Sequence, residues 1–189
     1  MTTDFSGFFL RLWGGISGHS GRFLVLGLFF VMAPVVRAEE IKVPFNFQWG
    51  ESPGRLEDAL KSVKARVVER REDKGRLCLV VEDIPQRLLE RALFYFDSDS
   101  LVEIELHYGD PSWDSMRYSA FFEQTRRNIE SKYGIGRAIA RQKSREDDIL
   151  QTLIGYQWSQ PAITLTLYYY TAEKDAQNFR LLSLHYRGY

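Results

Sequence analysis

The chain of 189 residues is 44% hydrophobic, 14% aromatic and 26% charged, with 25 acidic and 25 basic side chains. That composition excludes a disordered, fibrous or multi-span membrane protein, and the balanced charge lacks the basic footprint of a nucleic-acid binder. Cys78 is the only cysteine, which rules out an internal disulfide, a CxxC redox pair, a multi-cysteine zinc site and a lipid anchor at a leader cleavage point.

Residues 23–36 form an uncharged run preceded by Arg22 and ending in Val36-Arg37-Ala38, with a branched and a small residue at −3 and −1 of a cut after Ala38. This is the layout of a secretory signal peptide. At fourteen residues the run is shorter than the ~20 needed to cross a bilayer, and Gly27 and Pro34 interrupt it. We therefore expect residues 1–38 to be removed, leaving a single domain over 39–189, no stable membrane span, and a location in the periplasm or outside the cell. Residues 1–21 are long for a leader and hold Phe8, Phe9, Leu10, Leu12 and Trp13. A long leader and a translation start downstream of Met1 both fit. The remaining 151 residues carry 22 basic and 24 acidic side chains, a net charge of −2, and a chain of that size buries roughly 68–70% of its unfolded surface without staples.

Phe45, Phe47 and Trp49 alternate with other residues and predict a strand that enters a helix through Gly50. Ser52-Pro53 then reads as an N-cap with proline at the first helical position, and Leu56, Leu60, Val63 and Val67 recur at helical spacing, predicting a helix over 53–64. Residues 66–72 and 76–82 flank Glu72-Asp73-Lys74-Gly75 as a hairpin, and residues 92–96 and 101–108 flank Asp97-Ser98-Asp99-Ser100 in the same way. Val102, Ile104, Leu106 and Tyr108 share one face of the last strand, and Glu103, Glu105 and His107 the other.

Gly109-Asp110-Pro111 breaks the sheet, and Ser115 opens a second helix with the apolar stripe Tyr118, Phe121, Phe122, Thr125 and Ile129, ended by Tyr133-Gly134. Residues 137–148 are polar and mixed in charge and read as a loop or a frayed extension of that helix. Three strands follow, over 149–158, 162–171 and 179–187, with Ile163, Leu165, Leu167 and Tyr169 toward a core and Thr164, Thr166, Tyr168 and Tyr170 away from it. The fold class is therefore α+β: an antiparallel sheet with two helices on one face. Helix-then-strands occurs twice, which suggests a diverged tandem repeat.

Phe47-Gln48-Trp49-Gly50-Glu51-Ser52 before a helix, the Phe-rich hairpin strand Leu93-Phe94-Tyr95-Phe96, and a helix ending Lys132-Tyr133-Gly134 together resemble uncharacterised bacterial exported proteins. Their helix-then-sheet layout is similar to the beta-lactamase inhibitor protein and outer-membrane assembly lipoprotein (SmpA/OmlA) folds. The resemblance covers most of residues 45–187. It implies a non-enzymatic protein that presents a sheet face or loops to a partner, and it carries over no functional residue, because this chain has no lipid-anchor cysteine and no loop matching an inhibitory one.

The mature chain holds two histidines. His107 shares a strand face with Glu103 and Glu105, and His185 joins them if the last strand pairs nearby, so an imidazole–carboxylate metal site is conceivable; the simpler reading is a solvated sheet face. Asp97 and Asp99, or Asp147 and Asp148, have calcium-ligand chemistry but also turn chemistry. Cys78 lies in an apolar run, as a buried, inert thiol would. Neither G-x-S-x-G nor H-E-x-x-H occurs.

No catalytic residue, metal ligand or cofactor is therefore assigned. The binding candidates are Tyr168 and Tyr170 with Tyr156 and Trp158 on the preceding strand, since exposed aromatics anchor protein partners and stack on sugars. The expectation is a non-catalytic exported binding or assembly module of the bacterial cell envelope whose partner is another envelope or secreted protein and not nucleic acid. An inhibitor or regulator of a secreted enzyme, and a small exported hydrolase, are the alternatives. Mass spectrometry of the exported protein should give Glu39 as the amino terminus; an intact leader in the membrane fraction would contradict cleavage.

Overall fold

In three of the two-residue hairpin loops both central residues take positive φ: Lys74 and Gly75 at 53° and 78°, Ser98 and Asp99 at 47° and 62°, Asp147 and Asp148 at 46° and 66°. These are the torsion signs of the type I′ turn, whose twist matches that of the strands it joins. The computed structural model describes residues 39–175 and 177–189; the expected signal peptide lies outside the described residues. The turns connect strands of one eight-stranded, wholly antiparallel sheet.

The first half comprises helix α1 (Pro53–Ser62) and strands β1 (Arg66–Asp73), β2 (Arg76–Glu82), β3 (Leu89–Asp97) and β4 (Ser100–Tyr108). The second comprises α2 (Ser115–Tyr133), β5 (Arg137–Glu146), β6 (Ile149–Gln160), β7 (Ile163–Lys174) and β8 (Gln177–Gly188). Strand order is β1-β2-β3-β4-β8-β7-β6-β5. Helix plus four strands thus occurs twice, and the halves join where β4 pairs β8. The repeat expected from the element order is present in the topology.

One face of the sheet lies under the helices. Leu79, Phe94, Ile104, Leu106, Leu165, Leu167, Tyr169, Leu182 and Leu184 form a single core with Leu56 and Leu60 of α1 and Tyr118, Phe122 and Ile129 of α2. Proline at N1 starts α1, although Ser52 makes no side-chain cap bond. The Asp114 side chain accepts from Arg117 N at 2.8 Å to cap α2. Gly134 ends α2 at φ 84°, ψ −175°, a conformation open in practice only to glycine. No helix among the described residues is long and apolar enough to cross a membrane.

Two segments differ from the sequence reading. Residues 45–49 are not a strand: Pro44–Asn46 is a 3-10 turn with Phe45 and Asn46 at φ 59° and 61°. Their alternation reflects packing of an irregular segment, with Phe47 edge-on to Phe94 at 5.6 Å and Trp49 lying against Gly188. Residues 137–146 are not a loop: they are β5, an edge strand exposed at nearly every position. Its polarity hid it, because a strand that buries neither face shows no period of two.

Phe122 is 2% exposed and stacks on Tyr169 at 5.5 Å. Phe122→Ala should cost about 3–5 kcal/mol, the usual loss for a core phenylalanine. Denaturant unfolding measures it, and a loss below about 1 kcal/mol would be that of a surface position.

Candidate functional site

The sheet face away from the helices is built by alternation and by the β4–β8 register. Glu103 stands opposite Arg187, Glu105 opposite His185 and His107 opposite Ser183. On the flanks, Tyr95 pairs with Glu103 across β3–β4, and Thr166 and Tyr168 of β7 pair with His185 and Ser183. The two histidines and two glutamates singled out in the sequence are therefore brought together, by a pairing between the two halves of the chain.

These groups are turned onto one another. Arg76 Nη1 donates to Glu103 Oε2 at 2.8 Å, and His107 Nε2 lies 2.5 Å from Glu105 Oε1. His185 lies between the two carboxylates, with Nδ1 3.8 Å from Glu103 Oε1 and Nε2 3.5 Å from Glu105 Oε1. Ser183 Oγ is 2.9 Å from the same Nε2. The Tyr95 hydroxyl donates to Glu105 Oε2 at 3.2 Å, and the Arg76 guanidinium sits 4.8 Å above the Tyr95 ring. Among the described residues no three His, Cys, Asp or Glu side chains converge as metal ligands do.

The Glu103 carboxyl is held at about 2, first by the neighbouring His185 ring and then, against a burial penalty, by the bond and charge of Arg76. Arg76 at 2.8 Å is the partner within hydrogen-bond distance; His185 at 3.8 Å acts through charge when protonated. Burial pushes the Glu105 carboxyl up, but the His107 bond and the charges of both histidines outweigh it and leave it low. Burial and the Glu105 charge push the Tyr95 phenol up. Cys78, fully buried in a small apolar cluster with Val80, Leu93 and Tyr95, has its thiol raised by burial.

The four aromatic candidates separate. Tyr168 and Tyr170 are on the open face, half-buried. The Tyr168 ring meets His185 edge-on at 5.1 Å and lies across Gly155, where a Cβ would come within 2.9 Å of it. Tyr170 packs on Phe179 at 6.0 Å and donates to Gln151 Oε1 at 3.1 Å. Tyr156 and Trp158 face the helices instead. Tyr156 lies 6.2 Å from Phe122 and under the Arg126 guanidinium; Trp158 is 4% exposed and donates from Nε1 to the Gly134 carbonyl at 2.8 Å.

Sequence reasoning missed Phe179, which is 55% exposed and edges an open hollow of about 310 Å³ with Ile149, Ala172, Lys174, Gln177 and Asn178. Alternation backward from His185 would have placed it on this face. A second hollow of about 410 Å³, bordered by Ile41, Tyr133, Ile135 and Arg137, lies beside the start of β5. The acidic pairs fall at hairpins: Asp99 and both Asp147 and Asp148 are the positive-φ residues of the turns, a conformation that Asp tolerates better than most residues. No protein-family model, curated protein or solved structure matches the chain.

A carboxyl held at about 2 against an ordinary 4.5 contributes stability that is complete above about pH 4.5 and is lost as pH falls from there through about 2. Urea unfolding of the wild-type chain should show that decline, and Glu103→Gln should flatten it. An unchanged acid limb in the variant would show that the Arg76 and His185 contacts add nothing.

Proposed function

We propose that this chain is an exported, non-catalytic binding or assembly module of the bacterial cell envelope, and that the open sheet face receives its protein partner. The observation that carries this reading is the Tyr170–Phe179 ring pair, 6.0 Å apart on the face that neither α1 nor α2 covers, with Phe179 more than half exposed and the 310 Å³ hollow beside it. Large aromatic side chains lose little entropy on ordering and are frequent interface anchors. Tyr170 is already held by Phe179 and Gln151, and Tyr168 by His185, so both offer ordered contact area. The neighbouring Glu103, Glu105, His107 and His185 are paired within the face, a state favouring recognition through packing over acid–base chemistry.

Two further observations fit export. The Glu39 amide donates to the Lys132 carbonyl at 2.9 Å, at the end of α2, where the ammonium freed by cleavage after Ala38 would meet the negative end of the helix dipole. Gln160 grips the same segment, donating to the Glu39 carbonyl and accepting from Ile41 N, each at 2.8 Å.

The hydrolase alternative has one specific observation in its favour, the Ser183–His185–Glu103 relay at 2.9 and 3.8 Å. Against it, Ser183 is 1% exposed, and strand amides around it are taken up by the sheet ladders, leaving no pair of donors for an oxyanion.

Capture of envelope proteins by the mature protein, with cross-linking, tests the proposal. Alanine at both Tyr168 and Tyr170 should leave unfolding cooperative and weaken capture by ~2 kcal/mol or more, whereas alanine at both His107 and His185 should change it little. Loss of activity with the histidine pair and not with the tyrosine pair would replace the binding reading with the hydrolase one.

A further inference from the structure

The two outer strands of the sheet, β1 and β5, occupy equivalent places in the two halves, and both are charged. Charge on an edge strand is an ordinary device against unwanted pairing, so charge alone distinguishes nothing. The difference lies in how it is arranged.

On β1 three arginines are balanced by Glu69, Glu72 and Asp73, and each arginine is paired. Arg66 contacts Glu82 and Asp83, Arg70 contacts Glu57 of α1, and Arg71 contacts Glu69. On β5 the sign is nearly uniform: Arg137, Arg141, Lys143 and Arg145 stand against Glu146. The register places Arg141, Lys143 and Arg145 across from Ile154, Thr152 and Leu150, so they form one row at alternate positions, roughly 7 Å apart, with uncharged cross-strand neighbours. Among the described residues none of the three has an ion-pair partner, and Arg141 donates only to the Tyr156 hydroxyl at 3.4 Å. Glu146 projects to the other face, opposite Ile149. The acidic residues of α2 are taken up within it, Arg126 holding Glu123 and Glu130. A cationic row on a domain of net charge −2 runs beside a ladder of backbone groups that, among the described residues, is paired on one side only.

We propose that β5 is a docking edge for an acidic, extended segment of another polypeptide, which adds to the sheet as a ninth strand with carboxylates at alternate positions against Arg141, Lys143 and Arg145. Main-chain bonds to the free edge supply the attachment, and the period-two charge row supplies register and selectivity. This edge is separate from the open face that carries Tyr168 and Tyr170, and the proposal stands independently of the function assigned to that face.

The test uses the mature protein and a capped ten-residue peptide alternating Glu and Val, with fluorescence anisotropy for binding and hydrogen exchange for the β5 amides. The alternating peptide should bind and slow exchange in β5. Methylating one alternate set of its backbone nitrogens should abolish binding, and methylating the other set should not. Arg141→Gln, Lys143→Gln and Arg145→Gln together, which remove charge from exposed positions without adding repulsion, should weaken binding at least tenfold; the Tyr168 and Tyr170 alanine pair should leave it unchanged. Three results would each overturn the proposal: no binding, equal binding by a peptide with its glutamates grouped at one end, or binding indifferent to both methylation patterns. Loss of binding in the tyrosine variant would also overturn it, by moving the acidic segment to the open face.

Discussion

The β4–β8 ladder is the interaction on which the rest of this structure depends. Each half of the chain makes four antiparallel strands and one helix, and each half alone would end in a long, largely apolar strand edge. Pairing those edges turns two exposed ladders into the centre of one sheet. It also aligns Ile104, Leu106 and Tyr108 with Tyr186, Leu184 and Leu182 beneath the helices. A continuous core under both helices exists because this seam holds.

The same seam makes the open face. Glu103, Glu105 and His107 come from one half and Ser183, His185 and Arg187 from the other, so the polar cluster is an inter-half feature. Carboxylates mostly removed from water need partners, and here Glu103 finds them on β2 and across the seam, and Glu105 on β3, across the seam and on its own strand. Charge complementarity on the open face and apolar packing on the helix face therefore favour one register. A slip by one residue would send the glutamates into the core and the leucines to the open side.

What the sequence disclosed follows from locality. The helices, the hairpins and the faces of 163–170 are set by neighbours a few residues apart, and turn chemistry and period-two patterning report them directly. Edge strand β5 buries neither face and left no such pattern. Tyr156 and Trp158 were grouped with Tyr168 and Tyr170 because nearness along the chain does not say which faces two strands share. The register sets Tyr156 against Leu167 and Trp158 against Leu165, both core residues, and so assigns them to the helix side. The His–Glu cluster was legible as residue types on a strand face, but its assembly required a pairing between residues some eighty positions apart.

Cys78 has a consequence in redox terms. A lone thiol carried into an oxidising compartment is exposed to intermolecular disulfide formation and to the sulfenic-to-sulfonic ladder, and both begin from an accessible thiolate. Here the sulfur is fully buried, Arg71 and Tyr95 stand at its flanking register positions, and burial disfavours the thiolate. The sheet keeps this residue in its unreactive protonated form for as long as β1, β2 and β3 stay paired. Oxidation at Cys78 would thus report the opening of that part of the sheet.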